Sequence, residues 1–203
     1  MMADADRLLV SLSERLHPLD TPISRLPVAG YRPGHGVWAP RPAAVLVPVL
    51  TYERPEILLT VRSRKLLRHP GQVAFPGGRR ETSDESVLAT ALRETSEETG
   101  MAGDAVRPAG YLGRYDTITG FRMTAVVGCI DRKPAFRTNP EEVETLFTIP
   151  LDWVLDAARY RTEEVEFRGR TFELLTLEHP DHWIWGATAA LLDQLRRRLS
   201  EQP

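Results

Sequence analysis

The stretch from Ser86 to Gly100 confines the possible folds of this chain more than any other. Leu88, Ala91, Leu92, Thr95 and Thr99 recur there at helical spacing, while Glu94, Glu97 and Glu98 gather on a different face. At 3.6 residues per turn, Glu94 and Glu98 lie one turn apart with Glu97 beside them. The spacing predicts a helix over Ser86–Thr99 that stops at Gly100, a normal C-terminal glycine. Its apolar face needs a sheet or helix to cover it, and its acidic face needs something that tolerates three crowded carboxylates.

The rest of the chain supplies the cover. Ala43–Leu50 and Glu56–Arg62 are rich in Val, Ile and Leu, are separated by the polar turn Thr51–Pro55, and read as a pair of strands. Gly110–Gly113 and Arg122–Ile130 add further strands, as do Glu164–Phe167 and Thr171–Leu177, joined by a hairpin turn at Arg168-Gly169-Arg170. A last helix, Gly186–Leu199, places Leu191, Leu192, Leu195 and Leu199 on one side. Strands mixed with helices predict an α/β fold with a mixed sheet flanked by helices. Leu8, Leu9, Leu12 and Leu16 predict an N-terminal helix, and five prolines and three glycines in Thr21–Pro42 predict an irregular arm. Residues 1–40 are thus expected to pack as an arm on a body formed by residues 41–203.

Composition excludes several classes of function. At 203 residues, 42% of them hydrophobic, the chain has the material for a sizeable core. A net charge of -2 argues against a surface built throughout for nucleic acid. Cys129 is the only cysteine, which rules out an intrachain disulfide and a thiolate-rich zinc site. The longest apolar run, Ala43–Leu50, contains Pro48 and is too short to span a bilayer, and Met1–Asp20 lacks the pattern of a signal peptide. The expectation is a cytoplasmic protein with neither nucleic acid nor membrane as a partner.

An isolated Glu-x-x-Glu-Glu is most simply a solvated helix face. Here Phe75-Pro76-Gly77-Gly78 lies just upstream, and paired glycines let the backbone bend sharply and bring a carbonyl close to an ion. Crowded oxygen ligands without Cys or clustered His suit a hard ion, Mg²⁺ or Mn²⁺. A Mg²⁺ that keeps several waters draws its remaining ligands from a substrate phosphate.

As a unit, Gly78-x6-Glu85-x7-Arg93-Glu94-x2-Glu97-Glu98-x-Gly100-Met101 resembles the Nudix hydrolase box. The usual box has five residues between its first Gly and the next Glu, and the six counted here look like the coenzyme A pyrophosphatase branch. Leu58-Leu59-Thr60-Val61-Arg62-Ser63, followed by Gly71-x3-Phe75-Pro76-Gly77-Gly78, is similar to a segment characteristic of that branch. Leu67 stands where the branch commonly has Arg, with Arg68 next to it. A looser likeness extends to Asn139-Pro140-Glu141-Glu142-Val143 and Trp185-Gly186-Ala187-Thr188-Ala189.

The resemblance implies a Nudix α/β/α sandwich with a mixed β-sheet between helices. It implies divalent-metal-dependent hydrolysis of the diphosphate linkage of coenzyme A or acyl-CoA, giving adenosine 3',5'-bisphosphate and (acyl-)4'-phosphopantetheine. Glu94 and Glu98 are the expected metal ligands, with Glu97 a further ligand or the water-activating base and the Gly78 carbonyl a fourth candidate. Glu142 is a second candidate base. Arg93 is expected to fix the helix by pairing with Glu85 or with a ligand carboxylate. Arg62, Arg64, Arg68 and Arg79, with Gly77, are the candidates for holding the anionic substrate through charge-assisted hydrogen bonds. His69 is assigned to loop packing, with a phosphate or substrate contact as its alternative, and Phe75, Trp183 and Trp185 to the core first and nucleobase stacking second. Two alternatives stay open: a diphosphatase for ADP-ribose or another nucleoside diphosphate derivative, and an inactive nucleotide-sensing or interaction domain. The expected partner is a small nucleotide, and a homodimer is compatible with the sequence.

Overall fold

A computed structural model describes residues 4–32, 39–167 and 169–200. Helix α1 (Asp4–Arg15) leads into strands β1 (Val28–Gly30), β2 (Arg41–Leu50), β3 (Glu56–Arg62), β4 (Val73–Ala74) and β5 (Gly77–Arg79). Helix α2 (Val87–Thr99) follows, then β6 (Arg107–Asp116), β7 (Phe121–Ile130), β8 (Val143–Pro150) and the short helix α3 (Leu151–Leu155). The chain closes with β9 (Tyr160–Phe167), β10 (Arg170–Leu177), β11 (Ile184–Trp185) and helix α4 (Gly186–Ser200).

The main sheet is mixed, in the order β1-β6-β7-β2-β3-β4, with β8 along β3 and β5 along β2; β9, β10 and β11 form a smaller sheet. Strand β2 lies at its centre and runs parallel to β7 over its full length. Its side chains alternate between two cores, as the pleat requires. Val45, Val47 and Val49 meet Leu12 and Leu16 of the N-terminal region, Val154 of α3 and Leu191, Leu192 and Leu195 of α4. Ala44, Leu46 and Leu50 point the other way, toward Val87 and Ala91 of α2. Both faces are covered, so β2 reads as an unbroken apolar run. The expected layers are present, with α2 on one face and α1, α3 and α4 on the other.

Strand β2 changes neighbours along one edge. Val49 and Leu50 pair with Ile57 and Glu56 of β3, whereas Ala43–Val45 pair with Arg79, Gly78 and Gly77 of β5. The two strands expected to pair therefore do so over two residues, and the rest of that edge holds the glycine segment. Only glycine fits there. Gly77 has φ +150, and a Cβ on it would lie 2.4 Å from the Ala44 carbonyl oxygen and 2.6 Å from Val45 Cα.

Helix α2 begins and ends as expected. Ser86 Oγ accepts the Ala89 N–H at 3.0 Å, and Gly100 takes the left-handed conformation with its N–H on the Ser96 carbonyl. The arm is more regular than expected: β1 pairs in parallel with Arg114–Asp116 of β6. Residues 33–38 of the arm and Arg168 of the expected hairpin turn lie outside the described residues. Among the described residues, no helix is long and apolar enough to cross a membrane.

Candidate active site

The C-terminal half of α2 delivers Glu94 and Glu98 against β5. Glu98 is 4% exposed; its Oε2 accepts the Gly77 N–H at 3.1 Å, and its Oε1 faces Arg62 Nη1 at 3.9 Å. Burial pushes its pKa up to about 7 against the pull of Gly77 and Arg62, and the charges of Glu94 and Glu142 push the same way. Glu94 is raised as well, chiefly by burial, with Arg93 opposing. Gly78 leaves room for this acid, because a Cβ there would lie 2.3 Å from Glu94 Oε2. Glu97 differs from both: its side chain is 53% exposed.

Arg93 ties the acids together. Its guanidinium reaches Glu94 Oε1 and Glu97 Oε2, each at 3.0 Å, and donates to the Arg79 carbonyl at 3.2 Å. Its principal partner is Asp84, met by Nε at 2.9 Å and by Nη2 at 3.1 Å. Asp84 also accepts the Glu81 N–H at 2.8 Å and the Thr90 hydroxyl at 3.0 Å. Arg93, with those two donors, holds the buried Asp84 carboxyl well below the usual carboxylate range.

Of the two partners expected for Arg93, a ligand carboxylate is met in Glu94, and Glu85 is corrected to Asp84. Glu85 is exposed, one position past the acid that Arg93 grips. Five residues separate Gly78 from Asp84, so the usual first spacing of the box is kept and the additional residue falls between the acid and Arg93. Keeping the five-residue spacing from Gly78 and admitting Asp as well as Glu finds Asp84.

The loop after β7 closes the acid cluster. Arg137 N–H bonds the Thr99 carbonyl at 2.8 Å, and Asn139 N–H bonds the Glu98 carbonyl at 3.2 Å. Glu142, two residues into the turn that starts β8, is near enough to raise the pKa of both Glu94 and Glu98. The chain thus brings Glu142, distant in sequence, to Glu94 and Glu98 of α2.

Beside the cluster lies a cavity of about 660 Å³. Arg62, Arg68, His69, Gly77, Gly78 and Arg79 line the end next to the acids; Tyr115, Phe121, Met123, Phe172, Leu174 and Leu191 line the rest. Arg62 and the two glycines are the wall that cavity and acid cluster share. Arg64 is not part of this lining. Its exposed side chain lies 3.4 Å from Glu144, so the expected substrate role has no geometric support there. Leu67 is fully exposed. Phe75 is buried as expected, Trp185 lines the cavity, and Trp183 is 56% exposed and stacked on Trp185, which corrects its assignment to the core.

Comparison with known proteins places this geometry. Residues 40–186 match the family model described as the NUDIX domain. The chain belongs to the Nudix family. Among curated relatives, NudL of Pectobacterium atrosepticum, a Nudix hydrolase, is 39% identical over 163 residues, covering 80% of this chain and 85% of the relative. NudL of Klebsiella pneumoniae is 34% identical over 192 residues, covering 95% of this chain and all of the relative. Among solved structures, the MutT protein of Methanosarcina mazei aligns with a TM-score of 0.55 at 19% identity, over 82% of this chain and 100% of its own. The NUDIX domain of Shewanella oneidensis NrtR, solved with ADP ribose, aligns at 0.54 and 18% identity, over 80% and 90%. Both likenesses show the fold.

Nudix hydrolases require a divalent metal ion, and the acids of this Nudix hydrolase fit one. Glu98 carries incompletely balanced charge: it is buried, Glu94 and Glu142 raise its pKa, and the nearest cation stands at 3.9 Å; Glu94, half-buried beside Arg93, is raised chiefly by burial. Among the described residues, no three His, Cys, Asp or Glu side chains already form a cage. The pair Glu94 and Glu98 suits Mg²⁺, which takes one or two carboxylates and fills its other positions from water and substrate phosphate.

Proposed function

We propose that this Nudix hydrolase cleaves the diphosphate linkage of coenzyme A or acyl-CoA, releasing adenosine 3',5'-bisphosphate and (acyl-)4'-phosphopantetheine. The observation that carries the reading is the shared wall: Arg62, Gly77 and Gly78 stand between the acid cluster around buried Glu98 and a cavity that is cationic at that end and mostly apolar beyond it, with Asp116 and Glu173 also in its lining. A diphosphate at the wall would meet Arg62, Arg68 and Arg79, while the long arm of the substrate would run toward the apolar walls. The upstream segment Leu58–Ser63 with Gly71–Gly78 supports the same substrate.

Glu94 and Glu98 would hold Mg²⁺ or Mn²⁺, with the Gly78 carbonyl and Glu97 completing the set. The ion, when bound, neutralises charge on the phosphoryl oxygens and lowers the pKa of a bound water. Glu97 or Glu142 would accept the proton of the attacking water; Glu142 is placed by the loop that packs on the end of α2. Water adds across the P–O–P bridge, one phosphate taking the hydroxyl and the other leaving with the bridging oxygen. Arg93, anchored by Asp84, would keep Glu94 and Glu97 oriented. The reading includes a cytoplasmic setting, with residues 1–40 as an arm on a catalytic body of residues 41–203.

The test is a panel of CoA, acyl-CoA, ADP-ribose, NADH and nucleoside triphosphates, with Mg²⁺ or Mn²⁺ and products identified by mass. Faster release of both products from CoA or acyl-CoA than from the others is expected. Preferred turnover of ADP-ribose would overturn the substrate and keep the reaction; tight nucleotide binding without turnover would favour a sensing domain.

A further inference from the structure

The loop that joins β3 to β4 contains a conformation that its packing does not explain. Backbone bonds from Arg62 to Gln72 at 2.9 Å and from Gly71 to Arg62 at 3.0 Å pinch its base. Inside, the Gln72 N–H bonds the His69 carbonyl at 3.3 Å, so His69-Pro70-Gly71-Gln72 makes a tight turn, with Pro at its second position and a left-handed Gly at its third. His69 itself has φ +57, the only non-glycine residue with positive φ among the described residues. A side chain disfavours that region, and a following proline steers the residue before it to extended backbone. An Asn or Gly at this position would turn the chain with less strain, so the turn alone does not call for an imidazole.

The conformation sets the histidine at the cavity wall. Its half-buried ring lines the cationic end with Arg62 and Arg68, and Gln72 lines the same cavity beside it. Strained residues of this kind gather at ligand sites, where the surrounding fold holds them in place. We propose that His69 is a substrate-positioning residue that donates a hydrogen bond to a phosphoryl oxygen of the bound diphosphate. The inference rests on the reading that the diphosphate lies at this wall; it does not require that the diphosphate be part of CoA.

The ring's chemistry gives the proposal a signature. Burial, then the charges of Arg62 and Arg68, lower the His69 pKa and favour the neutral imidazole. A neutral imidazole has one N–H and one acceptor nitrogen, and both nitrogens donate only when the ring gains a proton. An anion beside Arg62 and Arg68 offsets their charge and favours that gain. Binding should therefore take up a proton.

The experiment uses the full chain, inorganic pyrophosphate as the probe, and calorimetry in buffers of different ionisation enthalpy. His69→Asn and His69→Gly suit the left-handed backbone and should melt at or above the parent's temperature. Both should bind pyrophosphate roughly 10-fold more weakly and lose the proton uptake seen in the parent, the loss expected for one hydrogen bond to a charged group. In turnover, KM should rise by a similar factor with kcat little changed, and added imidazole should partly restore the Gly variant. Unchanged pyrophosphate affinity, or equal proton uptake in parent and variants, would overturn the proposal. If CoA is not hydrolysed while pyrophosphate binding still depends on His69, the substrate reading fails and this inference stands.

Discussion

At the scale of single residues, burial sorts side chains that sequence lists as equals. Glu98 is sealed against Gly77, and Glu97 is in solvent. Glu98→Gln removes a charge that its surroundings already oppose, so the fold should keep its melting temperature while kcat at saturating metal falls by about 100-fold or more, as loss of a ligand charge demands. Near-normal turnover would remove Glu98 from the ligand set. The arginines separate in the same way. Arg62→Ala and Arg68→Ala should each raise KM for CoA by about 10-fold, from loss of a charge-assisted contact. Arg64→Ala should leave KM unchanged, since that side chain pairs with Glu144 away from the cavity. The shared face of Glu94 and Glu98 and the place of Arg62, Arg68 and Arg79 beside them were legible in sequence. Arg64 was not, because spacing along a strand and loop does not tell which side of the loop a side chain leaves from.

Elements show a different limit. The ends of α2 were readable from Ser86 and Gly100, both local signals. Its anchor was not, because Asp84 and Glu85 are adjacent carboxylates and only the folded turn shows which one turns inward. Asp84→Asn should cost roughly 2–4 kcal/mol, as for a buried ion pair left with one partner, while Glu85→Gln should stay within about 0.5 kcal/mol. Since the folded state depresses the Asp84 pKa, its stabilisation is complete above the unfolded value near 4 and is lost as pH falls below it. Denaturant midpoints of parent and Asp84→Asn should thus be well separated at pH 7 and converge in acid. A gap that widened in acid would contradict the sign. Strand β8 and helix α3 went unforeseen for a different reason: Val143–Pro150 runs on directly from the acidic turn, and what makes it a strand is its pairing along β3.

For the whole molecule, the sandwich was legible because β2 is apolar on both faces and α2 and α4 each have one apolar side. Strand order was not, since β2's neighbours β7 and β5 come from distant parts of the chain. The arm is the clearest case. Its prolines and glycines hid β1, and nothing local shows that Leu12 is fully buried among side chains of the central sheet and α4. Leu12→Ala should destabilise the chain by roughly 2–4 kcal/mol, measured by equilibrium unfolding. A change below about 0.5 kcal/mol would mean that the arm is only loosely applied.

The change of neighbours along β2 also accounts for a residue that a central strand should not contain. Pro48 is buried in β2, two residues past Leu46, whose N–H reaches across to the Pro76 carbonyl at 2.9 Å. Alternate amides in a strand face the same edge, so an N–H at position 48 would point into the gap between Pro76 and the first β3 pairing at Val49. Proline has no N–H to orphan there. Its ring also stops a zipper: β3 cannot extend its ladder along β2 past that point and evict the glycines. A proline thus reserves the berth in which Gly77 and Gly78 sit.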